Sequence, residues 1–142
     1  MKENVLLKGI SAIASFMYDV ADEIEADYSL DEKWRTASKI KDAANNSYFY
    51  TAQVVGAGEG KALKHECIYA RKDLKALKAM YIFAAKQGMT KLDPEMILKI
   101  DSLVVGLDKA YDTSEEELVR REKEELKPWL EKYRIWQEIT KQ

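Results

Sequence analysis

Apolar residues recur every three or four positions along most of this chain, the spacing of one face of an α-helix. The pattern predicts four core helices: Val5 to Asp27, Asp31 to the glycines of 56–60, Lys61 to Gln87, and a cap at Asp93 to about Tyr111. Connections this short favour antiparallel neighbours. The predicted fold class is therefore all-α, an up-down-up-down four-helix bundle with a C-terminal helical extension.

The predicted helix ends carry ordinary capping chemistry. Asp31 and Asp93 are placed to accept N–H bonds at helix starts, and Pro94 suits a first turn because its missing N–H costs nothing there. Gly88 is placed as a left-handed C-cap. Within the second helix, the apolar spacing predicts one buried stripe, formed by Trp34, Ala37, Ile40, Ala44, Tyr48, Ala52 and Val55.

The last 31 positions, 112–142, differ from the preceding bundle, 1–111. Asp112-Thr113-Ser114 offers a fresh cap for a separate tail helix, and Pro128 should kink or restart that helix. Trp129, Tyr133 and Trp136 form an aromatic stripe on an otherwise charged segment. Large exposed aromatics tend to mark contact surfaces, so the stripe either folds back on the bundle or docks on a neighbouring subunit or partner.

Length and composition fit one intracellular domain. The chain has 142 residues, 23 Lys or Arg against 25 Asp or Glu, and a single cysteine, Cys67, which has no partner for an internal disulfide. The N-terminal apolar patch is broken by charge, unlike a signal peptide or a membrane span. We expect a cytoplasmic protein with no membrane contact.

Positive charge gathers on one face of the third predicted helix. At about 100° per residue, seven cations fall within about a third of the helix circumference. They are Lys61, Lys64, Arg71, Lys72, Lys75, Lys78 and Lys86. Such a face contacts nucleic-acid phosphates without reading sequence. A solvated surface and an acidic protein partner remain the alternatives.

Catalytic and metal-binding patterns are weak. His65 and Cys67 stand in no metal-ligand spacing, and Cys67 lies on a predicted core stripe. Asp19 and Glu23 share a helix face, which a charged outer surface explains. The glycines of 56–60 follow a helix and lack the phosphate-loop spacing. We therefore expect no enzyme activity, no catalytic residues, no metal and no cofactor.

One long segment resembles a known family. Residues 70–90, from Ala70-Arg71-Lys72-Asp73-Leu74 to Gln87-Gly88-Met89-Thr90, look like the third helix and following loop of the four-helix bundle proteins encoded in 23S rRNA intervening sequences. Ile40-Lys41-Asp42-Ala43-Ala44 resembles their second helix. That family shares its bundle with the accessory variability determinant of diversity-generating retroelements, and the helix order agrees over roughly residues 5–111.

The resemblance implies a function and an assembly. The protein would be a non-enzymatic accessory factor that binds a reverse transcriptase and its RNA or DNA through the basic helix, and it would form a homo-oligomer, with a pentamer favoured. Trp129, Tyr133 and Trp136 would then serve protein contact. The alternative is an oligomeric structural or protein-interaction bundle with no nucleic-acid role.

Overall fold

A computed structural model describes residues 2–26, 31–57 and 61–140, and it describes side chains within 5–26, 33–56 and 63–140. Four helices account for nearly all of these residues: α1 (Lys2–Glu25), α2 (Asp31–Ala57), α3 (Lys61–Lys86) and α4 (Pro94–Thr140). No strand occurs in the described part of the chain. The predicted all-α four-helix fold is confirmed. The predicted cap side chain of Asp31 and the glycines at 58 and 60 lie outside the described residues.

Each helix packs on the next along the chain, and α4 closes the bundle against α1. The apolar faces of α1, α3 and the first part of α4 form the core, which removes their surface from water. Its largest fully buried apolar side chains are Ile10, Ile13, Met17, Ile24, Ile40, Leu74, Leu77, Tyr81, Ile100 and Leu107. These residues fix how the helices stack and therefore which outer faces remain free.

The predicted stripe of α2 is wrong at Trp34 and again in the second half of the helix. The buried face runs through Ser47, Thr51 and Val54, whereas Trp34 and Tyr48 are 62% and 42% exposed. The Ser47 hydroxyl donates to the Ala43 carbonyl at 2.7 Å, so the helix itself satisfies this buried polar group. Small hydroxyl residues thus occupy the core while aromatic residues face outward.

The turn between α3 and α4 follows its predicted caps. Gly88 has a φ of 74°, the left-handed conformation that suits glycine. Its N–H donates to the Ala85 carbonyl and the Met89 N–H to the Ala84 carbonyl, which together form a Schellman motif. The Asp93 carboxylate accepts the Glu95 N–H at 3.0 Å and so caps α4 as predicted.

Tyr81 ties this turn to the core. Its ring is fully buried and meets Phe16 edge to face, with centroids 5.8 Å apart. Its hydroxyl accepts the Asp93 N–H at 2.7 Å and donates to the Lys91 carbonyl at 3.2 Å. The start of α4 is therefore held in a fixed position relative to α3.

The contact between α4 and α1 depends on close approach. A Cβ built on Gly106 would lie 3.1 Å from the Leu6 Cδ2, and one on Gly9 would lie 3.6 Å from the Leu103 Cδ1. The glycines let the two helices pack with little space between their backbones. One side of α4 thus packs against α1 and another side packs against α3.

The predicted separate tail helix is wrong, because α4 runs unbroken for 47 residues. The Thr113 hydroxyl donates to the Lys109 carbonyl at 2.9 Å, as inside a helix, and Ser114 is buried against the bundle instead of capping a new start. Pro128 lies within the helix and neither ends nor restarts it. At about 1.5 Å per residue α4 is about 70 Å long, roughly twice the length of its neighbours. The predicted boundary between 111 and 112 falls inside this single helix.

None of the helices, over the residues described, is long and apolar enough to cross a membrane.

Candidate interaction surfaces

Three of the predicted phosphate-contacting cations instead pair with carboxylates of α4. Lys64 meets Glu115 at 3.5 Å. Arg71 meets Asp108 at 2.6 Å and Lys78 meets Asp101 at 2.8 Å. From one pair to the next, the position on α3 increases by seven residues and the position on α4 decreases by seven. This is the relation expected for antiparallel helices. We call these three pairs the α3–α4 ladder.

Tyr111 strengthens one end of the ladder. The Lys64 ammonium and the Arg71 guanidinium lie 5.2 Å and 4.7 Å from its ring centroid, a cation–π arrangement. A hydrogen bond with the Tyr111 hydroxyl is the largest influence on Lys64 and raises its pKa, and the charge of Glu115 acts in the same direction. Lys64 therefore stays charged and engaged with α4.

The predicted basic face thus divides into two groups. Lys72, Lys75 and Lys86 are exposed on the outer side of α3, and no described carboxylate lies within ion-pair distance of them. The side chain of Lys61 lies outside the described residues. Among the predicted cations whose side chains are described, only this outer group remains available for phosphates.

Aromatic rings from α2 and α3 lie on the outer surface of the bundle. Tyr50 stacks on Tyr69 with centroids 5.2 Å apart and planes 23° from parallel. Phe49 contacts Tyr50 edge to face, and the His65 ring contacts Tyr69 in the same way. Sequence analysis missed this cluster because its members come from two helices.

The distal half of α4 leaves the bundle. Every residue of 119–140 is exposed. The predicted protein-contact residues Trp129, Tyr133 and Trp136 are 68%, 58% and 59% exposed. The structure therefore does not show the stripe folded back on the bundle. Tyr133 and Trp136 instead stack on each other along the helix, with centroids 6.2 Å apart.

Three aliphatic residues extend this aromatic stripe. At about 100° per residue, all six side chains fall within about 120° of the helix circumference. We call them the distal stripe: Val119, Leu126, Trp129, Leu130, Tyr133 and Trp136. Ile135 lies on the opposite side of the helix and Ile139 beside the stripe. Large apolar residues grouped on one exposed side of a helix tend to mark contact surfaces.

The distal stripe continues the side of α4 that α3 covers. Glu115 and Trp129 are fourteen residues apart, two seven-residue steps along the same helix face. Extending the ladder register places Lys61, the first residue of α3, level with Leu118. Beyond that level α3 is absent, so this side of α4 loses its cover where the apolar residues begin.

The nucleophilic and metal-binding candidates form no site among the described residues. Cys67 is fully buried, and burial raises its pKa to about 11, so it is a thiol at neutral pH. The prediction that it is a core residue is confirmed. No group of three or more His, Cys, Asp or Glu side chains in the described residues could hold a metal ion.

We expect the central pair of the ladder to contribute measurable stability. In a double-mutant cycle with Arg71→Ala and Asp108→Ala, the coupling should be about 0.5–1 kcal/mol, because the pair is close and partly shielded from water. Urea unfolding at low and high salt measures it, and salt should reduce it. Lys72→Ala, an exposed neighbour, should change the unfolding free energy by less than about 0.5 kcal/mol. A coupling of zero would contradict the ladder.

Comparison with known proteins gives no match: no family model, no curated protein and no solved structure is significantly similar to this chain.

Proposed function

We propose that this protein is a non-enzymatic binding protein whose distal stripe contacts another protein chain. The observation that carries the proposal is the exposure of six apolar side chains on one side of the projecting part of α4. Trp and Tyr are enriched where interfaces gain most of their binding energy, since they bury a large area with few rotatable bonds. The proposal keeps the predicted contact residues Trp129, Tyr133 and Trp136 in their predicted role.

The shape and charge of the segment also support protein contact. A helix with one apolar side recognises a groove or another helix through positions three, four and seven apart, the spacing of the distal stripe. Ion pairs within the helix, such as Arg121 with Glu117 at 3.6 Å, support it before any partner binds. The hydrogen bond from Arg120 lowers the pKa of Glu117, which keeps that carboxylate charged. A preformed helix loses less conformational entropy on binding.

Site-specific photocrosslinking in cells tests the proposal. A benzophenone amino acid replaces Tyr133 on the stripe or, as the matched control, Ile135 on the opposite side of the same helix. We expect crosslinks to protein at 133 at least about tenfold above those at 135, because close contact is confined to the stripe. Mass spectrometry identifies the attached chain, which can be this protein itself or another.

Equal labelling at both positions, or none at either, would contradict the proposal. Circular dichroism of both proteins checks that the helix is intact. Crosslinks at 133 to RNA instead of protein would also contradict it.

A nucleic-acid role is the second candidate, and one observation favours it. Lys72 and Lys75 project from the outer side of α3, on the same helix as Tyr69, whose ring belongs to the exposed aromatic cluster. Cations beside exposed aromatic rings suit single-stranded nucleic acid, whose bases stack and whose phosphates need charge. A reverse transcriptase as partner and a pentameric assembly rest on the family resemblance alone and remain proposals.

The double change Lys72→Glu with Lys75→Glu tests this candidate. If both lysines contact phosphates, affinity for a mixed-sequence structured RNA should fall, and the slope of log affinity against log salt should become shallower by about 1.4–1.8. The matched control is Lys99→Glu with Lys109→Glu, the same charge change at exposed positions of α4. Fluorescence anisotropy at low and physiological salt provides both values. An unchanged affinity and an unchanged slope would contradict the proposal that these lysines bind nucleic acid.

A further inference from the structure

We propose that the occupant of the distal stripe is a second copy of the same segment, running antiparallel, so that two chains form a two-fold symmetric dimer through α4. This inference rests on the proposed function and specifies its partner. Homodimers with a two-fold axis use the same patch on both chains, so that patch must be complementary to itself. The distal stripe meets this condition in its length, its side-chain sizes and its charges.

The free length of α4 accommodates residues 119–136 of one antiparallel copy of itself. The α3–α4 ladder shows that this side of α4 packs on an antiparallel helix as far as the level of Leu118. The exposed segment 119–140 would continue the same packing with a helix from outside the chain. In a register centred between 127 and 128, the partner's Trp136 lies level with Val119. The incoming helix then takes over this side of α4 where α3 stops, and its last four residues, 137–140, pass beside the first turn of α3.

Side-chain sizes favour this register. It sets Val119 opposite the partner's Trp136 and Leu126 opposite the partner's Trp129, and symmetry repeats both contacts. A large residue therefore meets a smaller one in both of these layers, the arrangement that fills space without voids. Between them, Tyr133 lies level with the partner's Glu122. A parallel dimer would instead set each tryptophan against its own copy and Glu122 against the partner's Glu122. Two like charges facing each other in the seam would oppose that alternative.

Charges beside the seam point to the same register. Glu125 and Lys132 lie on one flank of the stripe, and antiparallel pairing brings each Glu125 close to the partner's Lys132. Residues 119–140 hold six Lys or Arg and five Glu, so two copies would not repel each other strongly. A partner with a large net charge of either sign would gain little from this surface.

Pro128 is compatible with the dimer. At about 100° per residue it lies on the side of the helix opposite Leu126, away from the seam. The hydrogen bond that proline removes belongs to the Glu124 carbonyl, which is on the same outer side, where water can replace the missing donor. Pro128 therefore leaves the apolar residues on both sides of the symmetry axis in place, with the charged Glu122 lying among them.

Disulfide crosslinking of the full chain tests the register. Glu125→Cys and Lys132→Cys are made in separate proteins that differ in mass, mixed in equal amounts, allowed to exchange and oxidised with copper phenanthroline. We expect the mixed 125–132 disulfide to exceed either same-site product by at least about tenfold, because only the mixed pair comes within bonding distance. Cys67 is buried, and the wild-type protein provides the background. Dominant same-site products would indicate a parallel dimer and overturn the inference.

Light scattering tests the assembly itself. The wild-type protein should have twice the 16.3 kDa mass of one chain. Trp129→Lys with Trp136→Lys should weaken the dimer at least about 30-fold, as expected for interface tryptophans, whereas Ile135→Lys should not. A monomeric or pentameric wild type would overturn the dimer. If a monomer still crosslinked to a different protein at position 133, the proposed function would stand while this inference failed.

Discussion

The antiparallel register between α3 and α4 decides which surfaces of this protein are free. Buried residues such as Leu74, Leu77 and Ile100 supply most of the packing, since ion pairs this exposed contribute little each. The charged pairs on the flank instead select among registers, because a shift of a few residues would separate all three at once. Tyr81 fixes the same register from the other end by holding the backbone of the turn that begins α4.

The difference in length between the two helices follows from this register. α3 has 26 residues and α4 has 47, and both are aligned at the turn that joins them. α4 therefore extends beyond the end of the bundle. The extending part carries large apolar residues on the side of the helix that α3 covers within the bundle. The same register pairs Lys64, Arg71 and Lys78 with carboxylates of α4. Lys72 and Lys75 stay exposed on the outer side of α3. Two separate surfaces, one apolar and one basic, are the result.

Local signals in the sequence were sufficient to predict the four-helix fold. They were not sufficient to predict which residues lie on its exposed apolar and basic surfaces. The caps at Gly88 and Asp93 were predictable because they depend on a few adjacent residues. The prediction of the buried face of α2 was wrong at Ser47 and Thr51. Their side chains are small enough for close helix packing, and this decided burial more than the apolar character of Tyr48.

Partners for the α3 cations could not be found on α3 alone. Asp101, Asp108 and Glu115 are spaced seven residues apart, as are the three α3 cations that pair with them. This shared spacing identifies the ion pairs once the two helices are taken to be antiparallel. The continuity of α4 was missed because Thr113 and Ser114 are capping residue types and Pro128 usually interrupts a helix.

The claim that α4 is one helix projecting from the bundle underlies both proposals and can be measured directly. Spin labels on Ser102→Cys and Glu138→Cys, with labelled protein diluted in unlabelled wild type, report the distance within one chain by pulsed electron spin resonance. The two positions are 36 residues apart. A continuous helix places them about 54 Å apart. A narrow distribution near that value is the predicted result. A main distance of about 25–30 Å, as expected if the segment turned back at Pro128 and packed beside the bundle, would contradict the account.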